Sequence, residues 1–304
     1  QLLFLIPALL VSLIYFGVGA AVVTLTSVVS CLFFEWAITK FILKREKTTI
    51  LDGSAIITGV LLAFNVPSNL PVWIIVIGAL VAIGIGKMTF GGLGCNPFNP
   101  ALVGRVFLLI SFPTYMTDWT IPGGLFGADA VSGATPLGVI NEGLMKGASA
   151  ADLIAQNGFS ASQMLFANIG GSAGEASAIA ILIGFVYLLV RKVIKPWITL
   201  SILGTVALVS TVFWMADPTH FTGPLFNLLT GGLLLGSCFM ATDYVTSPMS
   251  TKGGIIFGVG IGFITLMIRY FGSYPEGVSF AILIMNSVVP LLNKWFHQKK
   301  YGRA

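Results

Sequence analysis

Residues 71–88 read PVWIIVIGALVAIGIGKM, and the only charged side chain in this run is Lys87. Two later runs, AIAILIGFVYLLV at 178–190 and GIIFGVGIGFITLMI at 254–268, are similarly apolar. A helix needs about 20 mostly apolar residues to cross the ~30 Å hydrocarbon core of a bilayer. The chain lacks the ten-residue alternation of a membrane β-barrel. We therefore predict an all-α, polytopic membrane protein.

The composition of the whole chain agrees with this class. Of 304 residues, 56% are hydrophobic and 9% are charged, whereas about a quarter of the residues in soluble domains are charged. The net charge is +5. The basic residues that cause it are distributed according to membrane orientation, so we exclude nucleic acid as a partner. Three cysteines are too few for a four-thiolate iron–sulfur cluster within one chain, which leaves open a cluster shared with a partner subunit. The chain begins at Gln1 without a methionine, so we expect some N-terminal residues to be missing.

Apolar runs separated by glycine, proline and charged residues predict ten transmembrane spans. The third span contains Gly59 and ends at FNVPSN (64–69), so we expect a broken or re-entrant segment there. The predicted spans are 2–18, 20–43, 54–66, 71–89, 98–112, 175–191, 196–215, 224–241, 253–270 and 277–294.

The basic residues predict the orientation, because lysine and arginine gather in short cytoplasmic loops. With both termini in the cytoplasm, thirteen of the sixteen basic residues fall on the cytoplasmic side and only Arg105, Lys146 and Arg269 fall elsewhere. The long insertion at 113–174 is then external. The cytoplasmic set is Lys40, Lys44, Arg45, Lys47, Lys87, Arg191, Lys192, Lys195, Lys252, Lys294, Lys299, Lys300 and Arg303.

The two halves of the chain resemble each other. IITGVLLAF at 56–64 matches LLTGGLLLG at 228–236 with a constant offset of 172 residues. Because each half contains an odd number of predicted helices, corresponding helices run in opposite directions. We predict two inverted five-helix repeats, a pattern of transporter folds. The domains are residues 1–112, the external loop 113–174, and residues 175–304.

The external loop contains the motif DAVSGATPLGVI at 129–140. Pro136 biases Thr135 toward an extended backbone, and the small residues Gly133 and Ala134 leave its hydroxyl unshielded. We therefore expect Thr135 to be exposed and open to a modifying enzyme. A free hydroxyl is a weak nucleophile, and no histidine lies nearby in sequence to activate it. Thr135 is thus predicted to be a modification site rather than a catalytic nucleophile.

This motif is similar to the flavin attachment motif of the D subunit of Rnf complexes and of the homologous B subunit of the sodium-pumping NADH:quinone oxidoreductase. The resemblance extends over the whole chain, including GGLGCNPFNPALVGRVFL at 91–108 and GGLLLGSCFMATDYVTSPMSTKG at 231–253. The shorter length of this chain favours the Rnf branch. The residues that match the motif are Asp129, Ser132, Gly133, Ala134 and Thr135.

The resemblance implies that a flavin transferase joins FMN to Thr135 through a phosphoester. It also implies a membrane complex with other Rnf subunits in a bacterial or archaeal cell membrane. Rnf complexes couple electron transfer between ferredoxin and NAD to movement of Na⁺ or H⁺. Family members also hold a second, noncovalent riboflavin, for which this sequence shows no motif.

Three charged residues are further candidates. Asp243 and Glu276 lie at helix ends or breaks, where each is either part of an ion path or a solvated loop residue. Arg105 lies inside the predicted fifth span and needs a partner, which is either a flavin phosphate or a structural carboxylate. We favour the structural role for Arg105.

Two other function classes fit part of the sequence. Inverted repeats with broken helices are also compatible with a passive channel or transporter for a small polar solute. A purely structural membrane subunit would explain the hydrophobicity but not the loop motif. Covalently bound flavin distinguishes the redox subunit from both.

Overall fold

The computed structural model describes residues 2–45, 49–120, 132–159, 164, 171–172, 174, 178–272 and 274–296. The described residues are mostly helical, with one two-stranded ladder in the predicted external loop. The elements are α1 (Leu2–Ala37), α2 (Ser54–Ala63), α3 (Val72–Leu80), α4 (Pro100–Ser111), α5 (Pro113–Thr117), β1 (Trp119–Thr120), β2 (Ser132–Gly133), α6 (Pro136–Met145), α7 (Ala150–Gln156), α8 (Ala178–Val190), α9 (Trp197–Ala216), α10 (Pro224–Leu229), α11 (Leu233–Leu235), α12 (Thr251–Phe271) and α13 (Val278–Trp295).

Five helices of the described residues are long and apolar enough to cross a membrane. The sequence was therefore correct about the class, an all-α membrane protein. Three shorter apolar helices, Ser54–Ala63, Pro100–Ser111 and Ala178–Val190, coincide with predicted spans three, five and six. The five long segments are Leu5–Ile42, Val72–Phe90, Trp197–Ala216, Thr251–Phe271 and Val278–Trp295.

The first long segment contains the break that the sequence predicted. We predicted two spans, 2–18 and 20–43, and α1 consists of two helices that meet at a kink at Gly17, the second of which continues as a π-helical turn, Ile38–Ile42. Gly17 interrupts the helical geometry with φ 59° and ψ −139°. Glycine adopts this conformation readily because it has no Cβ. The division between the two predicted spans is thus a single-residue break.

Small and hydroxylated residues allow close packing of the helices in both halves. Ser27 of α1 donates to the Gly59 carbonyl of α2 over 2.7 Å, and a Cβ on Gly59 would lie 2.7 Å from Val28 Cα. In the second half, Thr199 of α9 donates to the Ser237 carbonyl over 2.8 Å. Membrane helices associate through such close approaches and interhelical hydrogen bonds.

The sequence match between the halves does not correspond to a shared conformation. Residues 56–63 lie within the continuous helix α2. The matching segment begins in α10, leaves helical geometry at Thr230, where ψ is 152°, and continues in α11. Gly231 there has a positive φ of 65°. The sequence match at an offset of 172 residues therefore does not pair residues of the same backbone conformation.

Interrupted helices from both halves meet inside the protein. Asn65, just after α2, donates to the Leu61 carbonyl over 2.6 Å and contacts Met240 Sδ at 3.6 Å. Asn99 caps the start of α4 and donates to the Met240 carbonyl over 3.3 Å. Met240 ends the π-helical turn Gly236–Met240 that follows α11. These contacts join the two halves at helix breaks, where backbone groups need partners.

Three basic residues are buried, so their positions do not report the orientation of the chain in the membrane. Arg105 and Arg269, two of the exceptions to the orientation pattern, are 4% and 6% exposed and serve as internal hydrogen-bond donors. Lys87, at the end of the fourth predicted span, was counted on the cytoplasmic side, and it is 2% exposed and paired with a carboxylate. Internal cations carry no information about the loops, because their positions are set by their partners.

Candidate cofactor site

Thr135 caps the first turn of α6. Its backbone is extended, with φ −63° and ψ 156°, and Pro136 occupies the first helical position. The side-chain oxygen accepts a hydrogen bond from the Gly138 amide over 3.1 Å. Threonine is favoured at this position because its hydroxyl satisfies an amide that has no partner within the helix.

The predicted exposure of Thr135 is wrong. Its side chain is buried, with 4% of its surface exposed, although the preceding Ala134 is exposed. The small neighbours were expected to leave the hydroxyl open, but the residue is buried in the folded chain. The capping bond holds the oxygen against the helix end, so the hydroxyl lies at a helix N-terminus rather than in an open loop.

The residues before Thr135 form a short strand. Ser132 and Gly133 pair in antiparallel fashion with Thr120 and Trp119, respectively. This ladder fixes the entry into α6 and thereby the position of Thr135. Asp129, the remaining matching residue of the motif, lies outside the described residues.

A cavity of about 370 Å³ lies beside α6. This volume is within the range of about 300–1,000 Å³ that is typical of small-molecule sites. One side is formed by α6 and the other by the segment before α10 and the end of α12. The residues that line this cavity include Leu137, Asn141, Phe221, Asn227, Arg269 and Tyr270.

The polar groups of the cavity wall form one network. Arg269 donates to the backbone carbonyls of Asn227 and Thr230 over 2.7 and 2.9 Å. Asn227 Nδ2 donates to Thr222 Oγ1 and to the Tyr270 hydroxyl, over 2.8 and 2.9 Å. Within the described parts of the chain, the buried Asn227 Oδ1 has no hydrogen-bond partner. Buried polar atoms are nearly always hydrogen-bonded, so this atom requires an explanation.

The α6–α7 pair is attached to the membrane helices through the loop after α9. The Ala150 amide donates to the Thr219 carbonyl over 2.8 Å. Thr219 in turn donates through its hydroxyl and its amide to Asp217 Oδ1, at 2.5 and 3.0 Å, and these bonds lower the pKa of the Asp217 carboxyl. This loop also contributes Phe221 to the cavity, so the loop and α6 are positioned together.

The two predicted ion-path carboxylates lie in different surroundings. Glu276 is buried and forms an ion pair with Arg105, which also donates to Asn65 Oδ1 over 3.2 Å and to Ser279. Asp243 is half-buried and accepts a 3.3 Å hydrogen bond from Thr246. It lines a separate cavity of about 80 Å³ together with Lys87 and Asn99. The structural role that we favoured for Arg105 matches its pairing with Glu276.

A family model described as the NQR2, RnfD, RnfE family matches residues 1–302 of this chain. The chain belongs to this family.

Curated relatives extend over nearly the whole chain of this family member. The D subunit of the proton-translocating ferredoxin:NAD(+) oxidoreductase complex of Clostridium ljungdahlii is 38% identical, over 98% of this chain and 88% of the relative. The D subunit of the ion-translocating oxidoreductase complex of Stutzerimonas stutzeri is 41% identical, over 98% and 89%. The D subunit of the Na(+)-translocating ferredoxin:NAD(+) oxidoreductase complex of Acetobacterium woodii is 40% identical, over 98% and 87%.

This family member contains a buried ion pair that the sequence analysis missed. Lys87 Nζ lies 2.7 Å from Glu35 Oε2, and the two side chains are 2% and 0% exposed. Lys87 also donates to Ser54 Oγ, and Thr49 donates to Glu35 Oε1, each over 2.5 Å. The signal was present in the sequence, because Glu35 interrupts an apolar predicted span and such carboxylates usually have a partner.

Proposed function

We propose that this chain is the membrane-embedded D subunit of an ion-translocating ferredoxin:NAD⁺ oxidoreductase complex and carries FMN on Thr135. The observation that carries the flavin assignment is the position of the Thr135 oxygen at the N-terminus of α6, a helix whose residues from Leu137 onward line a cavity of about 370 Å³. The matching relatives are named as subunits of such complexes. When bound, FMN would accept and donate electrons, while the chain holds and orients it.

The surroundings of Thr135 suit a phosphoester. A helix N-terminus favours negative charge, because its amides point outward and the helix dipole is positive at that end. Gly138 keeps space beside the threonine oxygen, since a Cβ at this position would lie 3.3 Å from Thr135 Oγ1. A phosphate on this oxygen would therefore meet backbone amides rather than a bulky side chain.

The burial of Thr135 has a consequence for maturation. A transferase must reach an oxygen that is 4% exposed and hydrogen-bonded to Gly138 in this structure. Transfer therefore occurs either before residues 132–138 pack or during local opening of the first turn of α6. Such local openings need far less free energy than global unfolding.

The first prediction concerns the modified peptide. No lysine or arginine lies between Arg105 and Lys146, so trypsin releases Thr135 within residues 106–146. In complex purified from cells with the transferase, we expect this peptide to gain the mass of FMN minus water and the denatured band to fluoresce. Acid extraction of the same sample would release noncovalent flavin, which we expect to be riboflavin. Unmodified peptide in active complex would contradict the attachment of FMN to Thr135.

The relatives do not decide the coupling ion. Two of them with nearly equal identity to this chain, 38% and 40%, are named as proton-translocating and Na⁺-translocating, respectively. The difference in ion therefore does not follow from overall similarity. Ion uptake by vesicles containing the complex, with and without Na⁺, measures it directly.

We further propose that the chain forms ten membrane segments in two inverted repeats, with both termini in the cytoplasm. The order of long and interrupted helices supports this arrangement. So do the paired contacts Ser27 to Gly59 and Thr199 to Ser237, since each joins the second predicted segment of a half to the third. Superposition of α2–α4 on α10–α13 with opposite helix directions is the geometric test.

The second prediction concerns orientation. Lys146 and Lys252 are both exposed, and the proposal places them on opposite sides of the membrane. Cys95 is exposed, while Cys31 and Cys238 are buried, so Cys95→Ser provides a suitable background for labelling. In intact cells, we expect an impermeant maleimide to label Lys146→Cys, whereas Lys252→Cys should react only after permeabilisation. The reverse pattern would contradict the orientation.

A further inference from the structure

We propose that Asn227 and Arg269 bind the pyrimidine edge of a flavin ring that occupies the cavity beside α6. The inference rests on the proposed attachment of FMN to Thr135. It assigns to two residues of the α10 and α12 region a role that neither the sequence motif nor the family comparison supplies. Three features of the described residues support it: the wall of the cavity, its polar groups and its position along the helix that Thr135 caps.

The wall of the cavity is suited to a flat aromatic ligand. Phe221 and Tyr270 both line it, and their ring centroids lie 4.9 Å apart with the planes at 66°. Leu137 and Ile140 provide apolar surface from α6. Small-molecule sites commonly combine such apolar walls with a few fixed polar groups.

The polar groups match one edge of the flavin ring. That edge carries the N3–H donor between two carbonyl acceptors. Asn227 Oδ1 is a buried acceptor without a partner in the described residues. Its amide nitrogen donates to the backbone carbonyls of Thr222 and Gly223 over 3.1 and 3.2 Å, so the amide orientation is fixed. An N–H of the ring would satisfy this oxygen.

Arg269 supplies the complementary charge. Its guanidinium is anchored by two backbone carbonyls and lines the same cavity as Asn227. A fixed cation beside the pyrimidine edge stabilises negative charge on the reduced ring. The reduction potential of the bound flavin is therefore raised relative to a site without this cation.

The cavity is close to the attachment point. Leu137 and Ile140 follow Thr135 by two and five residues on the same helix, and five residues correspond to about 7.5 Å along a helix axis. A Cβ on Gly231 would lie 2.8 Å from both Leu137 Cδ1 and Arg269 Nη2. The start of α6 and the guanidinium thus pack around the same glycine. The ribityl chain of FMN would connect Thr135 to this cavity.

The test measures how accessible the attached ring is to solvent. In protein that carries covalent flavin, we expect iodide to quench the flavin fluorescence several-fold less than it quenches free FMN. Asn141→Phe places a larger side chain in the cavity wall and should raise the quenching constant toward that of free FMN. Glu142→Phe is the matched control, because Glu142 lies on the same helix but is exposed and does not line the cavity.

The second measurement tests whether Asn227 binds the pyrimidine edge of the flavin ring. Asn227→Leu removes the acceptor at similar size, and we expect a changed flavin midpoint potential together with stronger quenching. Asn157→Leu is the matched control, because Asn157 is exposed and does not line the cavity, and it should change neither quantity. If Asn227→Leu does not fold, Asn227→Asp keeps an acceptor and adds a negative charge, which should lower the midpoint potential.

The outcomes separate this inference from the proposed function. Wild-type protein without covalent flavin would overturn both. Covalent flavin that iodide quenches as strongly as free FMN would overturn only the binding of the ring in this cavity. An unchanged flavin midpoint potential in both Asn227 variants would overturn the assignment of Asn227 to the pyrimidine edge of the flavin ring.

Discussion

Replacing Thr135 by asparagine is expected to abolish covalent flavin while leaving the protein folded. Asparagine is an effective N-cap, so it can accept the Gly138 amide bond that Thr135 now accepts. It has no hydroxyl and cannot form a phosphoester. We expect a membrane level similar to wild type, no flavin fluorescence on a denaturing gel, and loss of both electron transfer and ion transport in the assembled complex.

Two further variants distinguish the role of the Thr135 hydroxyl in flavin attachment from its role as the N-cap of α6. Thr135→Ser keeps both functions and should retain covalent flavin. Thr135→Ala loses both, and removal of an N-cap typically costs about 0.5–2 kcal/mol of stability. Flavin absent from Thr135→Ala alone, but present in Thr135→Asn, would refute attachment to this residue and show that the cap merely supports another site.

Replacing Arg105 by methionine is expected to destabilise the protein severely. The change leaves Glu276 as a buried carboxylate without its cation and removes the donor to Asn65 and Ser279. Breaking a buried ion pair by removing one partner typically costs about 3–5 kcal/mol. We expect a much lower midpoint in thermal unfolding of the detergent-solubilised protein, followed by size-exclusion chromatography.

The double variant Arg105→Met/Glu276→Met tests the cause. With both charges gone, stability should recover substantially, because apolar replacements of a buried pair are often neutral or stabilising. Lys146→Met is the control for charge removal, since Lys146 is exposed, and it should behave as wild type. If the double variant were no more stable than Arg105→Met, the pair would not be the reason for the loss.

The local features of this chain could be predicted from sequence for a physical reason. The length of an apolar run sets whether a helix can cross a bilayer, and glycine, proline and charge mark where it ends. The helices from Val72, Trp197, Thr251 and Val278 accordingly begin close to their predicted positions. Pro136 after Thr135 likewise marked a change of backbone conformation, and α6 begins there.

Features that depend on a single match or on solvent exposure were predicted less well. The 172-residue offset paired a continuous helix with an interrupted one. Thr135 was expected to be exposed because its neighbours are small, yet exposure depends on which distant elements cover a residue. Lys87, at the end of the fourth predicted span, was counted with the cytoplasmic cations because its partner Glu35 lies 52 positions away in the sequence.

The sequence by itself determined the membrane class, the approximate helix positions and the resemblance of the 129–140 motif to a flavin attachment site, because each is a property of a contiguous segment. Only the tertiary structure decided that Arg105 pairs with Glu276 across 171 residues and that Thr135 is a buried cap. The same holds for Asn227, a buried residue of the wall of the cavity beside α6 whose side-chain oxygen has no partner among the described residues. These features depend on how helices pack against each other, since burial and charge pairing arise between segments that are distant in sequence.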